Sequence, residues 1–522
     1  PFTVSSAANA TLAMASVGIG SHLLTVGNAG LLMKHGSDKQ KQVFAHQLYK
    51  GLWAGTMCLS EPQAGSSLSD IQTKATPDGD DFAADPLGPR YRLKGNKMWI
   101  SSGDHELTQN IVHLVLAKVP GPDGKLIAGT RGISLFIVPK HIVGPDGNLT
   151  GQRNDVALAG LNHKLGWRGT TNTLLNFGEG RYPVASDNNS ASAGAIGYLV
   201  GNLHQGLMCM FHMMNEARIA VGSAAAMLGL AGYYASLDYA KNRPQGRSLG
   251  AGGKDPSSPQ IAIIEHADVK RMLLAQKSYC EGAFALEIYC AKLVDEQHTN
   301  DSPELQNKSR LLLEILTPIA KSWPSEWCLE ANSLAIQIHG GYGYTRDFPV
   351  EQYWRDNRLN MIHEGTHGIQ AQDLLGRKVL MEKGAALALL DQQIAATIQK
   401  CQDLPHAQLN SMSEELQKHW QEVLLTTQSV WQDPSTEPAV ALANAVPYMQ
   451  AFGHVVLAWI WLDLVHAIHK NPDQCSLNKA QQQGKMAAAV YFFNYELPKI
   501  HAWLKVVKTK DSCCALMASD QF

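Results

Sequence analysis

The chain has 522 residues, 44 basic and 46 acidic side chains, 45% apolar and 17% charged residues; it exceeds what one core usually organises and has almost no net charge. That balance excludes a disordered chain, an acidic tail and a polyanion-binding surface. Nine cysteines run from Cys58 to the adjacent Cys513 and Cys514 without a CxxC pair, so they offer no zinc ribbon or redox motif and suit a reduced, cytoplasmic setting.

The first residue is Pro1 and no lysine or arginine precedes Lys34, so the chain is expected to lack its natural beginning and not to open on a signal peptide. Small and apolar residues over 1–54, with Ser37-Asp38-Lys39-Gln40 as a helix cap and first turn, predict an N-terminal helical domain. Over 55–206 the texture changes. Tyr91 to Gly95, Ile111 to Leu116, Ile133 to Val138 and Thr173 to Phe177 read as strands between turn residues, which predicts a β-domain.

Helical period returns over 207–380, where Met210, Met214, Ala217, Val221, Ala224 and Leu228 share a face. Gly246 to Pro259 reads as a loop, followed by helices over Ile261 to Val294, Ile319 to Ile338 and Gly368 to Leu380. A last helical domain is expected over 381–522, with Leu387, Leu390, Ile394 and Ile398 on one face and a break between Trp431 and Pro438. Its most apolar run, Val455 to Ile468, contains Asp463; at about 14 residues it is shorter than the roughly 20 that cross a bilayer, so no transmembrane span is expected.

His363-Glu364-Gly365-Thr366-His367 matches HExxH, the zinc-peptidase motif, which works only when both histidines lie one turn apart in mid-helix. Gly365 and Gly368 disfavour a helix there, and Gln370 and Asp373 occupy the positions where the metzincin extension needs Gly and His. The alternative reading puts Glu364 on a loop and makes Thr366 the N-cap of the following helix.

On that loop the sequence resembles the acyl-CoA dehydrogenase family, whose catalytic loop reads Tyr-Glu-Gly-Thr with Ile-Gln after two more residues; this chain has His363-Glu364-Gly365-Thr366 and then Ile369-Gln370. Three further blocks follow family order: Cys58 to Ser66 (CLSEPQAGS), Gly95 to Gly103 (GNKMWISSG), and Gln337 to Tyr344 with Tyr353 to Asp356. The implied fold is α+β and multi-domain: N-terminal helices, a β-barrel-like middle domain, a helical bundle and an appended helical domain.

The resemblance implies FAD-dependent α,β-dehydrogenation of an acyl-CoA to a trans-2-enoyl-CoA, as in fatty-acid β-oxidation. Glu364 would be the base. The flavin contacts would come from Met57, Leu59, Ser60, Gly65, Ser66, Trp99, Ser101, Arg243, His266, Gln337, Gly340, Gly341, Thr366 and Gly368, and the substrate contacts from Ser66, Asn215, Arg218, Glu364 and Gly365. Gln63, where the family has Gly, and Gln245 with its glycine-rich insertion depart from the pattern.

Met210 to Arg218 and the appended domain resemble a bacterial subfamily that includes long- and medium-chain acyl-CoA dehydrogenases and 3-methylmercaptopropionyl-CoA dehydrogenase, the alternative activity. An electron-transferring flavoprotein as acceptor and a homodimer are also implied. A non-catalytic or DNA-associated homologue is the remaining alternative. A basic face would be needed for DNA, yet no arginine follows Arg377, and no nucleic-acid partner is expected.

Overall fold

A computed structural model of the chain describes residues 1–185, 191–250, 253–432 and 437–522, with only the backbone of Ser21, His22 and Leu23. It forms two compact units, one of Gly18–Ala217 and one of Pro1–Val17 with Arg218–Phe522, where the sequence suggested four domains. The long helix Gly206–Asn242 contributes to both.

In the first unit Ser37 caps its helix as expected. Its side chain accepts from the Gln40 amide at 3.2 Å, and Gln40 Oε1 accepts from the Ser37 amide at 3.1 Å. The fully buried Gln40 then donates to the carbonyls of Leu87 and Leu199 at 2.9 and 2.8 Å, which ties the helices to the sheet.

The four expected strands are present as Arg90–Ser101, Asn110–Lys118, Ile133–Pro139 and Asn172–Phe177. Short Lys74–Pro77 pairs with Arg90–Ser101 on one side, and through Lys74 opposite Lys118 on the other. Ala195–Val200 joins Arg90–Ser101 to Ile133–Pro139, which pairs with Asn110–Lys118. Those pairings close five strands into a ring, and closure removes exposed edges. Trp53–Cys58 runs parallel to Asn110–Lys118 outside it.

The helical unit is built on Gly206–Asn242, Ala267–Thr299 and Pro303–His339. Ala267–Thr299 starts later than the Ile261 expected, because Ile263–Glu265 winds a 3-10 turn and His266 takes the N-cap position. Pro303–His339 is one helix despite Pro318 and Pro324 inside it, where the sequence suggested a start at Ile319.

The appended helices do not form a unit of their own; they share one core with the bundle. Trp461 is fully buried, donates to the Ser278 carbonyl at 3.0 Å, and packs where Gly282 lacks a side chain. The Val455 to Ile468 run lies in the 26-residue helix Ala445–Lys470. That helix and Gly206–Asn242 are long and apolar enough to cross a membrane, but 83% and 78% of their most apolar windows are buried inside the protein, as in core helices. The break expected between Trp431 and Pro438 lies partly outside the described residues.

Pro324 has no N–H to give the Ala320 carbonyl. Beside that oxygen, in the space left by Gly222, sits the Glu287 carboxyl, which is 1% exposed and has no hydrogen-bond partner on either oxygen among the described residues. Burial raises its pKa well above the ordinary 4.5, with a smaller contribution in the same direction from Cys328. A neutral carboxyl suits that environment.

Two results are expected. Below the unfolded pKa both states are protonated. As pH rises through and beyond it the unfolded state ionises first, so the wild type should lose stability, and Glu287→Gln should flatten that loss. Thermal melts from pH 5 to 8 check it. A Cβ on Gly222 would overlap the Ala320 carbonyl and Glu287, so Gly222→Ala should cost about 1–3 kcal/mol, seen as a lower urea midpoint.

Candidate active site

Glu364 lies in a tight turn after the 3-10 turn Arg358–Met361 and before the helix His367–Asp373. Its φ is +53° and that of Gly365 is +91°. For a glutamate this left-handed backbone costs on the order of 1–3 kcal/mol and persists only where its surroundings hold it. Here both carbonyls of the turn are tied down: Gln370 donates to Glu364 O at 3.2 Å, and Lys321 Nζ donates to Gly365 O at 2.6 Å. Thr366 is the N-cap, its hydroxyl accepting from the Ile369 amide at 3.4 Å.

A ladder of buried amides braces the same turn. His363 Nε2 donates to Asn360 Oδ1 at 3.1 Å, Asn360 donates to Asn357 at 2.9 Å, Asn357 to Asn332 at 2.7 Å, and Asn332 to the Leu228 carbonyl at 2.9 Å. All three asparagines are fully buried. Burial, and secondarily Lys321, lower the His363 pKa to about 3, so its ring is a neutral orienting group. Desolvation raises the Glu364 pKa, and Arg218 and then Lys321 partly offset it. Arg218 is 6% exposed, and its own pKa is lowered by burial against the pull of Asp373 and Glu364. The result is a carboxyl group with raised proton affinity, partly offset by the buried Arg218 and Lys321, which is what a general base needs.

The zinc reading fails on geometry. His363 lies in the turn while His367 is the first residue of a helix and faces Glu326 at 3.4 Å. Among the described residues no three metal-ligating side chains converge.

Elsewhere in the helical unit, Arg243, Gly340 and Gly341 line one cavity of about 460 Å³ with Tyr239, His339 and Tyr342. A Cβ on either glycine would meet nothing within 4 Å, so the backbone lies open to a bound group. Gln337 is exposed one turn before the helix ends at Gly340. His266 Nε2 instead donates to the Gln245 carbonyl of its own chain at 2.8 Å. Gly368 lies on the first turn of the helix capped by Thr366.

In the β unit, Leu59 and Ser60 are tied to a segment anchored by one buried ion pair, Glu61 with Lys97. Glu61 is 4% exposed and accepts from Lys97 Nζ at 2.9 Å, the Gln72 amide at 2.7 Å, and the Thr73 amide and hydroxyl at 3.0 and 2.6 Å. Burial alone would raise its pKa, but Lys97 and these donors hold it below the ordinary carboxylate range.

Lys97, fully buried, also donates to the Leu59 carbonyl at 3.0 Å, and the Met98 amide donates to Ser60 O at 3.0 Å. Past this clamp the pairing slips between Lys97 and Ile100, and Trp99, with φ +66°, is left 60% exposed. Met57 lies on the strand Trp53–Cys58, half-buried like Ser101, while Gly65 and Ser66 are exposed. Asn215 is half-buried on the helix Gly206–Asn242. Sequence reasoning missed Lys97, Lys321 and the asparagine ladder as site residues; a lysine inside an otherwise apolar segment was the available signal.

Comparison with known proteins agrees with this fold. Residues 254–379 match the family model described as acyl-CoA dehydrogenase, C-terminal domain, and residues 390–518 match acetyl-CoA dehydrogenase C-terminal like. The chain belongs to the acyl-CoA dehydrogenase family, oxidoreductases of the CH–CH group.

It is 36% identical to 3-methylmercaptopropionyl-CoA dehydrogenase of Ruegeria pomeroyi over 84% of this chain and 68% of that one. It is 33% identical to a butyryl-CoA dehydrogenase of Syntrophomonas wolfei over 96% and 78%. Among solved structures, ACDH-11 of Caenorhabditis elegans in complex with C11-CoA shares the fold with a TM-score of 0.72 at 19% identity, covering 96% of this chain and 76% of that one. An acyl-CoA dehydrogenase of Bacillus anthracis complexed with FAD does so at 0.68 and 18%, covering 93% and 73%.

Proposed function

We propose that this chain oxidises an acyl-CoA thioester to its trans-2-enoyl-CoA with FAD, Glu364 taking the α-proton. The observation that carries the reading is the desolvated Glu364 carboxyl on a strained turn pinned by Lys321 and Gln370.

An α-proton of a thioester is too weakly acidic for a carboxylate unless the carbonyl oxygen is held as enolate charge develops. The Glu364 backbone N–H, which has no acceptor among the described residues, is the donor this chain offers. Raised proton affinity lets the carboxylate accept the proton.

Each unit taken by itself offers groups that suit a flavin nucleotide: the β unit has the exposed Trp99 on its bulge and the exposed Gly65 and Ser66 backbone, and the helical unit has Arg243 lining a cavity with the open glycines 340 and 341. When bound, FAD supplies the acceptor for the β-hydrogen, which leaves as hydride while the Cα–Cβ double bond forms. Acceptance of the electrons by an electron-transferring flavoprotein, and a homodimeric assembly, rest on the family resemblance.

Fatty-acid β-oxidation is the setting this chemistry suits. Identity of 36% to a 3-methylmercaptopropionyl-CoA dehydrogenase favours a sulfur-containing acyl chain as the second reading. The test is anaerobic mixing of the FAD-loaded protein with straight-chain acyl-CoAs and 3-methylmercaptopropionyl-CoA. Bleaching of the flavin, with a product lacking two hydrogens, supports the reading and ranks the substrates; flavin that stays oxidised with every thioester contradicts it.

A further inference from the structure

Lys321 is fully buried on the helix Pro303–His339. Among the described residues the only hydrogen-bond partner of its ammonium is the Gly365 carbonyl at 2.6 Å, and no carboxylate lies within ion-pair distance. An ammonium has three donors, so two of them are left without a protein acceptor in a site where charge is expensive. As a mere pin for one carbonyl, a neutral amide would be cheaper to bury. What the charge adds is a field on Glu364, the residue next to the one it pins.

We propose that Lys321 is a positioning residue for the base: it holds the Gly365 carbonyl so that the turn keeps Glu364 in place, and its positive charge sets the proton affinity of that carboxylate. The proposal rests on Glu364 being the base. The charged groups around the pair are few. Arg218 acts on both Glu364 and Lys321, and Asp373 and Arg377 act on Arg218 in turn. His363 is neutral, and burial raises the pKa of Glu287, beside the Ala320 carbonyl, well above the ordinary value. Burial lowers the Lys321 pKa to about 7, with Glu364 pulling it upward and Arg218 downward; its charge therefore weakens as pH rises through that value.

Loss of the cation removes an influence that lowers the proton affinity of Glu364, so the carboxylate should hold its proton to higher pH. Flavin reduction by an acyl-CoA that the wild type oxidises is measured anaerobically against pH for the FAD-loaded wild type, Lys321→Met and Lys321→Gln. Lys321→Gln keeps a donor for the Gly365 carbonyl, so the comparison survives if Lys321→Met does not fold.

The expected result is an acidic limb moved upward by about one pH unit, the low end of what an adjacent opposite charge contributes. A limb unmoved in the folded variants, with only the rate reduced, overturns the proposal and leaves Lys321 as a simple pin. Glu364→Gln separates the two assignments. If it reduces flavin like the wild type, the base reading falls and this proposal with it; if it is inactive while the limb stays put, only the Lys321 proposal falls.

Discussion

Glu364→Gln is expected to bind FAD and acyl-CoA as the wild type does while its rate of flavin reduction falls by about 10²–10⁴-fold, the usual cost of losing a general base. The substitution preserves size. It also preserves the two backbone bonds that hold the turn, since Gln370 and Lys321 bond carbonyls and not the carboxylate. What it removes is the proton acceptor alone. In the wild type activity should fall as pH drops through the raised pKa of Glu364, because the base must be ionised to act; the residual rate of Glu364→Gln should lack that limb. Stopped-flow reduction with a thioester-binding control checks both.

Lys97→Met should be the most damaging change in the β unit, at about 3–5 kcal/mol, the cost of leaving a buried charge without its partner. Glu61 would keep its bonds to Gln72 and Thr73 but lose the cation that helps hold its pKa down. The Leu59 carbonyl would lose its donor as well. Since Leu59 and Ser60 continue the strand Trp53–Cys58 while Met98 and Trp99 follow Lys97, FAD retention should fall with stability. Urea denaturation and flavin content after gel filtration measure the two. Because the folded pKa of Glu61 is lowered, its contribution is present above the ordinary carboxyl pKa and is lost as pH falls through the folded value; the difference between variant and wild type should narrow in acid.

What was legible in the sequence was local. Glu364 on a loop with Thr366 as cap follows from two glycines and a threonine, and this separated the loop from a zinc helix. Alternating strands and the Ser37 cap were readable for the same reason. Long-range features were not. Lys321, Lys97 and the ladder of Asn332, Asn357 and Asn360 acquire their roles from residues far along the chain. The ring of strands depends on Lys74–Pro77, too short to show a period. Two prolines hid the continuity of Pro303–His339. The appended helices looked like a separate domain because an amphipathic pattern does not reveal which neighbour its apolar face covers.

The most direct test of the account is exchange of the α-hydrogens of a bound acyl-CoA with deuterated water, followed by mass spectrometry, since exchange at carbon reports the base separately from hydride transfer. Exchange is expected in the wild type and its loss in Glu364→Gln at equal thioester occupancy. Exchange at the wild-type rate in Glu364→Gln would contradict it and place the base on another residue.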